Sequence, residues 1–450
     1  MLAPFRGIRY ARDRVSGIAN VTSPPYDVIN GGILDRLRAA DPHNVVRLIL
    51  PGEEADASKA AAALLREWLS AGVLIRDRMA ALYIYEQCLP GQDGRFGMQR
   101  GIIGLVRLGS PEAASILPHE GVMPGLVAGR RELMAATQAN LEPIFLIYDG
   151  GPADNDAAET ATGVMDRVAG ERAPLVSITT EDGITHRLWR LGEPAEQAAI
   201  AADLARRQAL IADGHHRYAA YLQLQAEMRT AGRGAGPWDY GLAFLVDSAA
   251  YPPRLGAIHR VLPGLPPDRA AELAKAAFTV QDLPTGLSLD DALRRLAAAG
   301  RDGIAFLLAG GPVFRLLSHP DPVQVAASMP AGASAPWQHL DASVLQHLLL
   351  GRLWGITDSE RDVLIDHNAA DAVRAVSGDA TATDVAERGP GAAPSAGSAV
   401  AGGTAVISNP ASFEAVIQIA SQGERVPRKS TSFGPKPRTG LVLRTFGPSD

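Results

Sequence analysis

The sequence predicts an α/β to α+β protein with mixed sheets. Two observations support this: apolar strand patterns alternate with amphipathic helix patterns, and the clearest unit runs strand, tight turn and helix between Gln208 and Arg229. The chain has 450 residues, and roughly 100–200 residues per domain is usual, so two or three domains are expected. A composition with 46% hydrophobic and 20% charged residues is that of a globular protein with a large core.

Composition also excludes several classes of protein. The single cysteine, Cys88, rules out an internal disulfide and a Cys-rich zinc site, and its apolar surroundings predict a packed thiol. A formal net charge of -6 argues against a general nucleic-acid binder. No apolar run approaches the ~18 residues of a membrane span, and the N-terminus lacks an apolar signal core. The cytoplasm is therefore the expected location.

The pattern along the chain divides it into three regions. Residues 1–110 form an N-terminal α/β region, 111–262 a core with the candidate site, and 263–450 a C-terminal α/β region. Residues 378–403 are rich in Gly, Ala, Pro and Ser, so a flexible loop is expected there. Strands are predicted at 45–50, 81–89, 100–108, 143–149, 174–179, 185–191, 208–212, 241–246, 303–309, 312–317 and 404–408, and helices at 57–71, 130–139, 215–229, 268–278, 288–299 and 411–421.

The strand-turn-helix around Asp213 and Gly214 is the strongest functional candidate. The first N–H groups of a helix lack partners, and the helix dipole adds partial positive charge, so an anion fits there. Arg217 could add a charge-assisted contact, and His215 and His216 could donate or move protons. Asp213 would repel a bare phosphate, which favours a Mg²⁺ ligand, a helix cap or a base. The alternative is an ordinary capped helix with surface side chains.

Three further features could carry chemistry. His119-Glu120 is an acid/base or metal-ligand pair, or else two solvated turn residues. The Pro24-Pro25 turn holds Tyr26 and Asp27 rigidly, either for function or as a structural turn in which Asp27 caps a helix. Arg130 at the start of a helix indicates anion binding, with an exposed arginine as the alternative.

The basic C-terminal region contains Lys429-Ser430-Thr431, which is similar to the end of a Walker A loop. Because the upstream glycines are missing, a P-loop is rejected. A lysine followed by two hydroxyls could still contact phosphate, or simply cap the fold. The polar pairs His259-Arg260 and His367-Asn368 are expected to be exposed to solvent.

The chain resembles a family of bacterial and archaeal proteins of unknown function. Within it, the Asp-Gly-His-His-Arg segment is similar to the phosphate motif of the ParB/sulfiredoxin-like fold, a group that includes free serine kinases, ParB-type CTPases and sulfiredoxin. The matching segments run through nearly the whole chain, at 4–10, 24–29, 117–120, 139–145, 212–218, 427–431 and 435–436.

The resemblance implies a ParB/sulfiredoxin-like nucleotide-binding core within residues 111–262, with flanking domains. It implies that five residues bind phosphates and Mg²⁺, with Asp213 on the metal and as a catalytic residue: Asp213, Gly214, His215, His216 and Arg217. Glu120 would be the base towards a serine-like hydroxyl, with His119 beside it. Lys429, Ser430 and Thr431 would add phosphate contacts, and the acceptor side would hold Tyr26, Asp27, Arg130 and Asn140.

The chain departs from the family pattern mainly on the acceptor side. Gly121-Val122 follows the His-Glu pair where Thr is usual, and Gly129 precedes the helix where an acidic residue is usual. Arg428 replaces a usual Pro, and 432–434 lack the usual aromatic pattern. None of these departures falls within the 213–217 motif. The resemblance therefore supports nucleotide binding more strongly than it supports any particular acceptor.

Two functions follow as hypotheses. The first is a nucleotide-dependent phosphotransferase that uses ATP or ADP, with CTP as a further candidate, and Mg²⁺, and acts on a small hydroxyl-bearing metabolite such as free serine. The alternative is a nucleotide-binding or hydrolysing switch or adaptor of ParB type. Expected partners are a small-molecule substrate and a nucleotide, without a membrane or nucleic acid, and self-association is left open. A sulfiredoxin-like repair enzyme is discounted, because Cys88 lies in an apolar strand far along the sequence from the motif.

Overall fold

The computed structural model describes residues 2–52, 54–90, 97–109, 115–151, 160–359, 361–377 and 402–447. Contacts divide the chain into two units. The first comprises Met1–Pro118, Val122–Pro253 and Pro435–Asp450, and the second comprises His119–Gly121 and Arg254–Gly434. Most of the predicted flexible loop, 378–401, lies outside the described residues.

A nine-stranded sheet forms the centre of the first unit. Two neighbouring pairs, 116–117 with 209–213 and 144–148 with 240–247, are parallel and the others are antiparallel, so the predicted mixed sheet is confirmed. The spatial order is Ile116–Leu117, Ala209–Asp213, Ile144–Tyr148, Tyr240–Asp247, Met98–Arg107, Leu82–Cys88, Thr185–Leu191 and Val176–Thr179, with Leu2–Ala3 also paired to Met98–Arg107.

The predicted boundary near residue 110 lies inside this first unit. The physical reason is the ladder between Met98–Arg107 and Tyr240–Asp247, which joins strands from both sides of that boundary in one sheet. Two short antiparallel pairs complete the strands: Ile8–Tyr10 with Leu74–Arg76, and Ala139–Asn140 with Arg444–Thr445. The helices of this unit are Ile18–Val21, Gly31–Ala40, Val46–Ile49, Ala57–Ser70, Pro124–Thr137, Ala161–Glu171, Pro194–Leu204 and His215–Thr230, with 3-10 turns at Arg12–Arg14, Tyr26–Val28 and Pro237–Asp239.

The strand predicted at 45–50 is wrong, because this segment forms the short helix Val46–Ile49. The side chain of Asn44 accepts a hydrogen bond from the Val46 N–H over 2.9 Å, which starts a turn at that point. A short apolar run fits a buried helix as well as a buried strand, so periodicity alone does not separate the two.

A six-stranded antiparallel sheet forms the centre of the second unit. The predicted boundary at residue 262 falls at the end of one of its strands, His259–Leu262, which pairs on both sides. The spatial order is Thr279–Asp282, Arg315–Ser318, Ala305–Ala309, Thr404–Ser408, His259–Leu262 and Leu364–Asp366. Around it lie helices Pro267–Ala274, Leu289–Asp302, Pro322–Ser328, Ala335–Gln338, Asp341–Val344, Leu345–Leu353 (a π-helix), Ala369–Ser377 and Phe413–Ser421, and the strand pair Arg254–Gly256 with Ser432–Gly434.

Two predictions from composition concerned a membrane span and the thiol of Cys88. Within the described ranges, no helix has both the length and the apolar character needed to cross a membrane. The Cys88 thiol is half-buried and donates to Glu86 Oε1 over 3.4 Å. Burial and the neighbouring Glu86 charge raise the pKa of the thiol, which disfavours the nucleophilic thiolate.

Candidate functional site

The strand, tight turn and helix predicted around Asp213 and Gly214 are present in the structure. The pairing register shifts between Ile211 and Asp213, and Gly214 follows with φ +96°, so helix His215–Thr230 starts sharply. A Cβ on residue 214 would lie 3.0 Å from Ile144 Cγ2 and 3.2 Å from Arg217 Nε. Glycine is therefore required both by the backbone conformation and by the space.

Asp213 is only 7% exposed and accepts hydrogen bonds from two cations. Its Oδ2 accepts from Arg217 Nη2, and its Oδ1 lies 2.6 Å from Lys436 Nζ. Arg217 is 4% exposed and also donates to the carbonyl of Pro143 over 2.6 Å. The guanidinium of Arg217 therefore lies in the interior and is hydrogen-bonded to Asp213 and the backbone. This geometry favours a structural role for Arg217 over the predicted contact with phosphate.

Lys436 connects Asp213 to Asp27, because its Nζ also pairs with Asp27 Oδ2. Asp27, Lys436, Asp213 and Arg217, here called the Asp213 cluster, alternate in charge. The Asp27 and Lys436 side chains are 26% and 21% exposed, so they form the solvent-facing end. Burial and the Asp27 charge raise the pKa of Asp213, whereas Lys436 and Arg217 lower it.

Tyr26 and Arg130 lie beside the Asp213 cluster. The Tyr26 ring centroid is 4.3 Å from Arg130 Cζ and 5.7 Å from Arg217 Cζ, which is cation–π geometry. Burial raises the pKa of Tyr26 to about 12, with Arg217 opposing, so the phenol is neutral. Arg130 also donates to the carbonyl of Ile49 over 2.8 Å, which fixes its guanidinium.

Sequence reasoning missed Glu142, a buried carboxylate of the same region. Its Oε1 accepts from the Tyr26 N–H over 3.1 Å and from the Thr439 hydroxyl over 3.2 Å. Burial raises the pKa of Glu142, and the charges of Arg217 and Arg130 oppose this. The available signal was weak: an acidic residue two positions before the apolar strand Ile144–Tyr148.

The two histidines and Asn140 occupy different positions in the first unit. His215 is the half-buried first residue of its helix. His216 Nε2 accepts from the Met123 N–H over 3.1 Å, which places the proton of a neutral ring on Nδ1. Asn140 is buried, and its Oδ1 accepts a hydrogen bond from Arg444 Nη1 over 3.0 Å. The side-chain oxygen of Asn140 therefore already has a partner within the protein.

Glu120 and His119 belong to the second unit, so the structure places the predicted base and Asp213 in different units. The Thr431 hydroxyl donates to Glu120 Oε1 over 2.9 Å, and His119 Nε2 lies 2.8 Å from the same hydroxyl. Because that hydroxyl proton is given to Glu120, His119 Nε2 is the donor in the second bond. Burial raises the pKa of Glu120, against the effects of Thr431 and Lys429.

Lys429 and Ser430, the other predicted site residues of the second unit, directly precede Thr431 in the sequence. Lys429 is exposed with φ +55°, and the Ser430 hydroxyl donates to the Pro427 carbonyl. The predicted exposure of His259-Arg260 is wrong, since both residues are buried. They lie within strand His259–Leu262, which pairs on both sides, and the adjacent apolar residues Val261 and Leu262 were a signal for burial.

Metal binding by Asp213 stays a prediction. Among the described residues, no group of three or more His, Cys, Asp or Glu side chains is placed to hold a metal ion. Both Asp213 oxygens already accept from cations.

The chain belongs to a family described as "Protein of unknown function (DUF1015)", whose model matches residues 2–343. A comparison with curated proteins found no match.

Three solved structures illustrate the structural likeness. SbnI with a C-terminal truncation from Staphylococcus aureus has a TM-score of 0.35 at 11% identity, covering 77% of this chain and 90% of that chain. A free serine kinase in complex with ADP has 0.33 at 13%, covering 74% and 87%. A conserved hypothetical protein from Pyrococcus furiosus has 0.32 at 12%, covering 76% and 95%. At such scores the likeness assigns neither function nor site residues, and the ParB/sulfiredoxin-like core stays a prediction.

Replacing Lys436 should make stability depend on pH. In Lys436→Gln the carboxyl of Asp213 loses one of its two cations, so its folded-state pKa, which burial already raises, rises further. A carboxyl whose folded pKa lies above its unfolded value loses stability as pH rises through the folded pKa. The variant should therefore lose stability relative to wild type between about pH 5 and pH 8, by about 1.4 kcal/mol for a pKa raised by one unit. Urea unfolding at both pH values measures this.

Lys275→Gln is the matched control, because Lys275 pairs with Glu272 at an exposed site. It should unfold like wild type at both pH values. An equal loss of stability at pH 5 and pH 8 in Lys436→Gln would contradict the pairing described for Asp213.

Proposed function

We propose that the protein is a nucleotide-dependent phosphotransferase that acts on a small hydroxyl-bearing metabolite, with free serine as a candidate acceptor. The observation that carries the proposal is the position of the Asp213 cluster. It lies where helix His215–Thr230 begins, directly after Gly214 at φ +96°. Its solvent-facing end presents a lysine and a carboxylate next to a helix N-terminus, which is a site for phosphate.

The donor nucleotide would bind with its phosphate at the helix N-terminus. The helix dipole alone contributes only ~0.3–1 kcal/mol at an exposed site. A hydrogen bond to a charged group contributes about 1.5–3 kcal/mol, so Lys436 would supply the larger part. Gly214 allows the phosphate to approach the backbone closely, and His215 and His216 follow directly at the start of the helix. ATP or ADP is the proposed donor, with CTP as the further candidate.

The acceptor side would involve Asp27 and Tyr26. A phosphate that draws Lys436 towards itself takes this cation from Asp27, and an oxygen of the Asp27 carboxylate then accepts a hydrogen bond from the acceptor hydroxyl. The buried Asp213–Arg217 pair stays in place and keeps the turn fixed. Phosphoryl transfer depends mostly on such positioning and on neutralising the phosphate charge.

Mg²⁺ would arrive with the nucleotide. In nucleotide sites this ion commonly takes one or two carboxylates besides phosphate oxygens and water. In the Asp213 cluster, Asp27 is the more exposed carboxylate and is better placed than Asp213 to supply an oxygen.

Glu120 is the proposed base. A carboxylate works as a general base when its pKa lies close to the working pH, and burial moves the pKa of Glu120 in that direction. The hydrogen bonds from His119 to Thr431 and from Thr431 to Glu120 hold the carboxylate in one orientation.

Calorimetry with ADP, ATP and CTP, each with and without Mg²⁺, tests nucleotide binding. Wild type should bind at least one of them, and Lys436→Gln should bind about tenfold more weakly, which corresponds to a loss of about 1.4 kcal/mol. Lys59→Gln is the control, because Lys59 is an exposed lysine of the same unit that pairs with Asp56. Absence of binding to every nucleotide by wild type would overturn the proposed function.

Turnover by Glu120→Gln tests the base. With serine and other small hydroxyl compounds as acceptors, phosphoryl transfer should fall by about 10²-fold or more, because the carboxylate no longer takes the proton. Nucleotide affinity should stay at the wild-type value. Glu414→Gln, at an exposed position of helix Phe413–Ser421, should keep full activity. Full activity of Glu120→Gln would remove Glu120 from the mechanism.

A further inference from the structure

We propose that the second unit contains a separate anion site built around Arg260, which binds one phosphate or carboxylate group of a small metabolite. The proposal concerns Arg260, Lys429 and the cavity beside them, and it does not involve the Asp213 cluster. It rests on a buried guanidinium with one nitrogen that has no hydrogen-bond partner among the described residues, and on a cavity that this side chain lines.

Arg260 is 5% exposed and lies in strand His259–Leu262, which has a neighbouring strand on each side. Its Nη2 donates to the carbonyls of Arg428 and Lys429, over 3.3 and 2.9 Å. Its Nη1 is buried and has no hydrogen-bond partner among the described residues. Burial is the main reason that the pKa of Arg260 falls to about 10. The charges of Asp358 and Glu120 oppose this fall. A buried donor without a hydrogen-bond partner is costly, so Nη1 favours an anion as its partner.

Arg260 lines a cavity of about 20 Å³. Ser408 lies in the same lining, and its buried hydroxyl likewise lacks a hydrogen-bond partner within the described part of the chain. Lys429 adds an ammonium to the lining. Ser430 and Asn409 also line the cavity, but the Ser430 hydroxyl donates to the Pro427 carbonyl and the Asn409 amide donates to the Leu296 carbonyl. About 10–15 Å³ is enough for one water-sized group, so the cavity admits one oxygen of a phosphate or carboxylate and excludes a whole nucleotide.

The loop that carries Lys429 and Ser430 is fixed in a strained conformation. Lys429 has φ +55°, a conformation that costs on the order of 1–3 kcal/mol outside glycine. Arg260 holds the carbonyls on one side of the loop, and Glu120 accepts from the Thr431 hydroxyl on the other. The strain is retained because these bonds hold the loop, and their effect is to keep Lys429 and Ser430 in the lining of the cavity.

Asp341 is the acidic residue of the lining, and it makes anion binding sensitive to pH. Burial raises the pKa of Asp341 to about 7, so its charge opposes an anion above neutral pH and is lost below it. Asp341 also lines a cavity of about 430 Å³, a size typical of small-molecule sites. The charged and titratable groups lining the two cavities with Asp341 are Arg260 and Lys429 in the small one, and Asp302, His319 and His339 in the large one.

The test is a titration of the full-length protein with inorganic phosphate and, separately, with acetate, at constant ionic strength set with chloride. Calorimetry and thermal unfolding report binding. Lys429→Gln should weaken binding of the preferred anion about tenfold, and Arg260→Gln should weaken it further, because each removes a charged donor. Asp341→Asn should strengthen binding at pH 8 and leave it unchanged at pH 5.5. Preference for phosphate or for acetate identifies the natural group.

Controls separate this site from structural effects and from the first unit. Ser343→Ala removes another buried hydroxyl that lacks a hydrogen-bond partner among the described residues but lies outside the lining, so it should not change anion binding. Lys436→Gln should leave this binding unchanged even where it weakens nucleotide binding. If Arg260→Gln fails to fold, the variants of Lys429, which is exposed, and of Asp341, which is partly buried, still test the proposal. Wild-type affinity in Lys429→Gln together with no change in Asp341→Asn at pH 8 would overturn the proposal.

Discussion

The buried carboxylate of Asp213 is the constraint on which the candidate site depends. It accepts from Arg217, one helical turn further along the chain, and from Lys436 in the C-terminal segment. Removing one partner from a buried ion pair typically costs about 3–5 kcal/mol, because the remaining charge is left uncompensated. The conformation of Gly214, the start of helix His215–Thr230 and the position of Asp27 are therefore energetically linked.

The two cations that contact Asp213, which are Arg217 and Lys436, have different roles. Arg217 is directed into the interior and fixes the turn, whereas Lys436 lies at the solvent-facing end and can exchange Asp27 for a ligand. In the second unit, Arg260 likewise fixes a loop, because it donates to the Lys429 carbonyl. Its Nη1 has no hydrogen-bond partner among the described residues. In both units a buried arginine fixes a loop or turn, and a lysine lies nearby: Lys436, which is partly buried, and Lys429, which is exposed.

Local pattern was enough to predict the elements around the site, and long-range pairing was not. Helix His215–Thr230 and strand Ala209–Asp213 agree with prediction within one residue, because apolar periodicity and a Gly turn define them locally. The pairing of Asp213 with Lys436 joins distant segments, and nothing local in the sequence encodes it. The interior direction of Arg217 and the burial of Arg260 also depend on which strands neighbour them in the sheet, so a motif alone could not show them.

Hydrogen–deuterium exchange of the wild-type protein, with and without saturating ADP and Mg²⁺, tests the central claim most directly. If phosphate binds where helix His215–Thr230 begins, ADP should slow exchange in the first turn of this helix and around Asp27 and Lys436. Protection that appears only in segments away from these residues, while ADP is bound, would contradict the account.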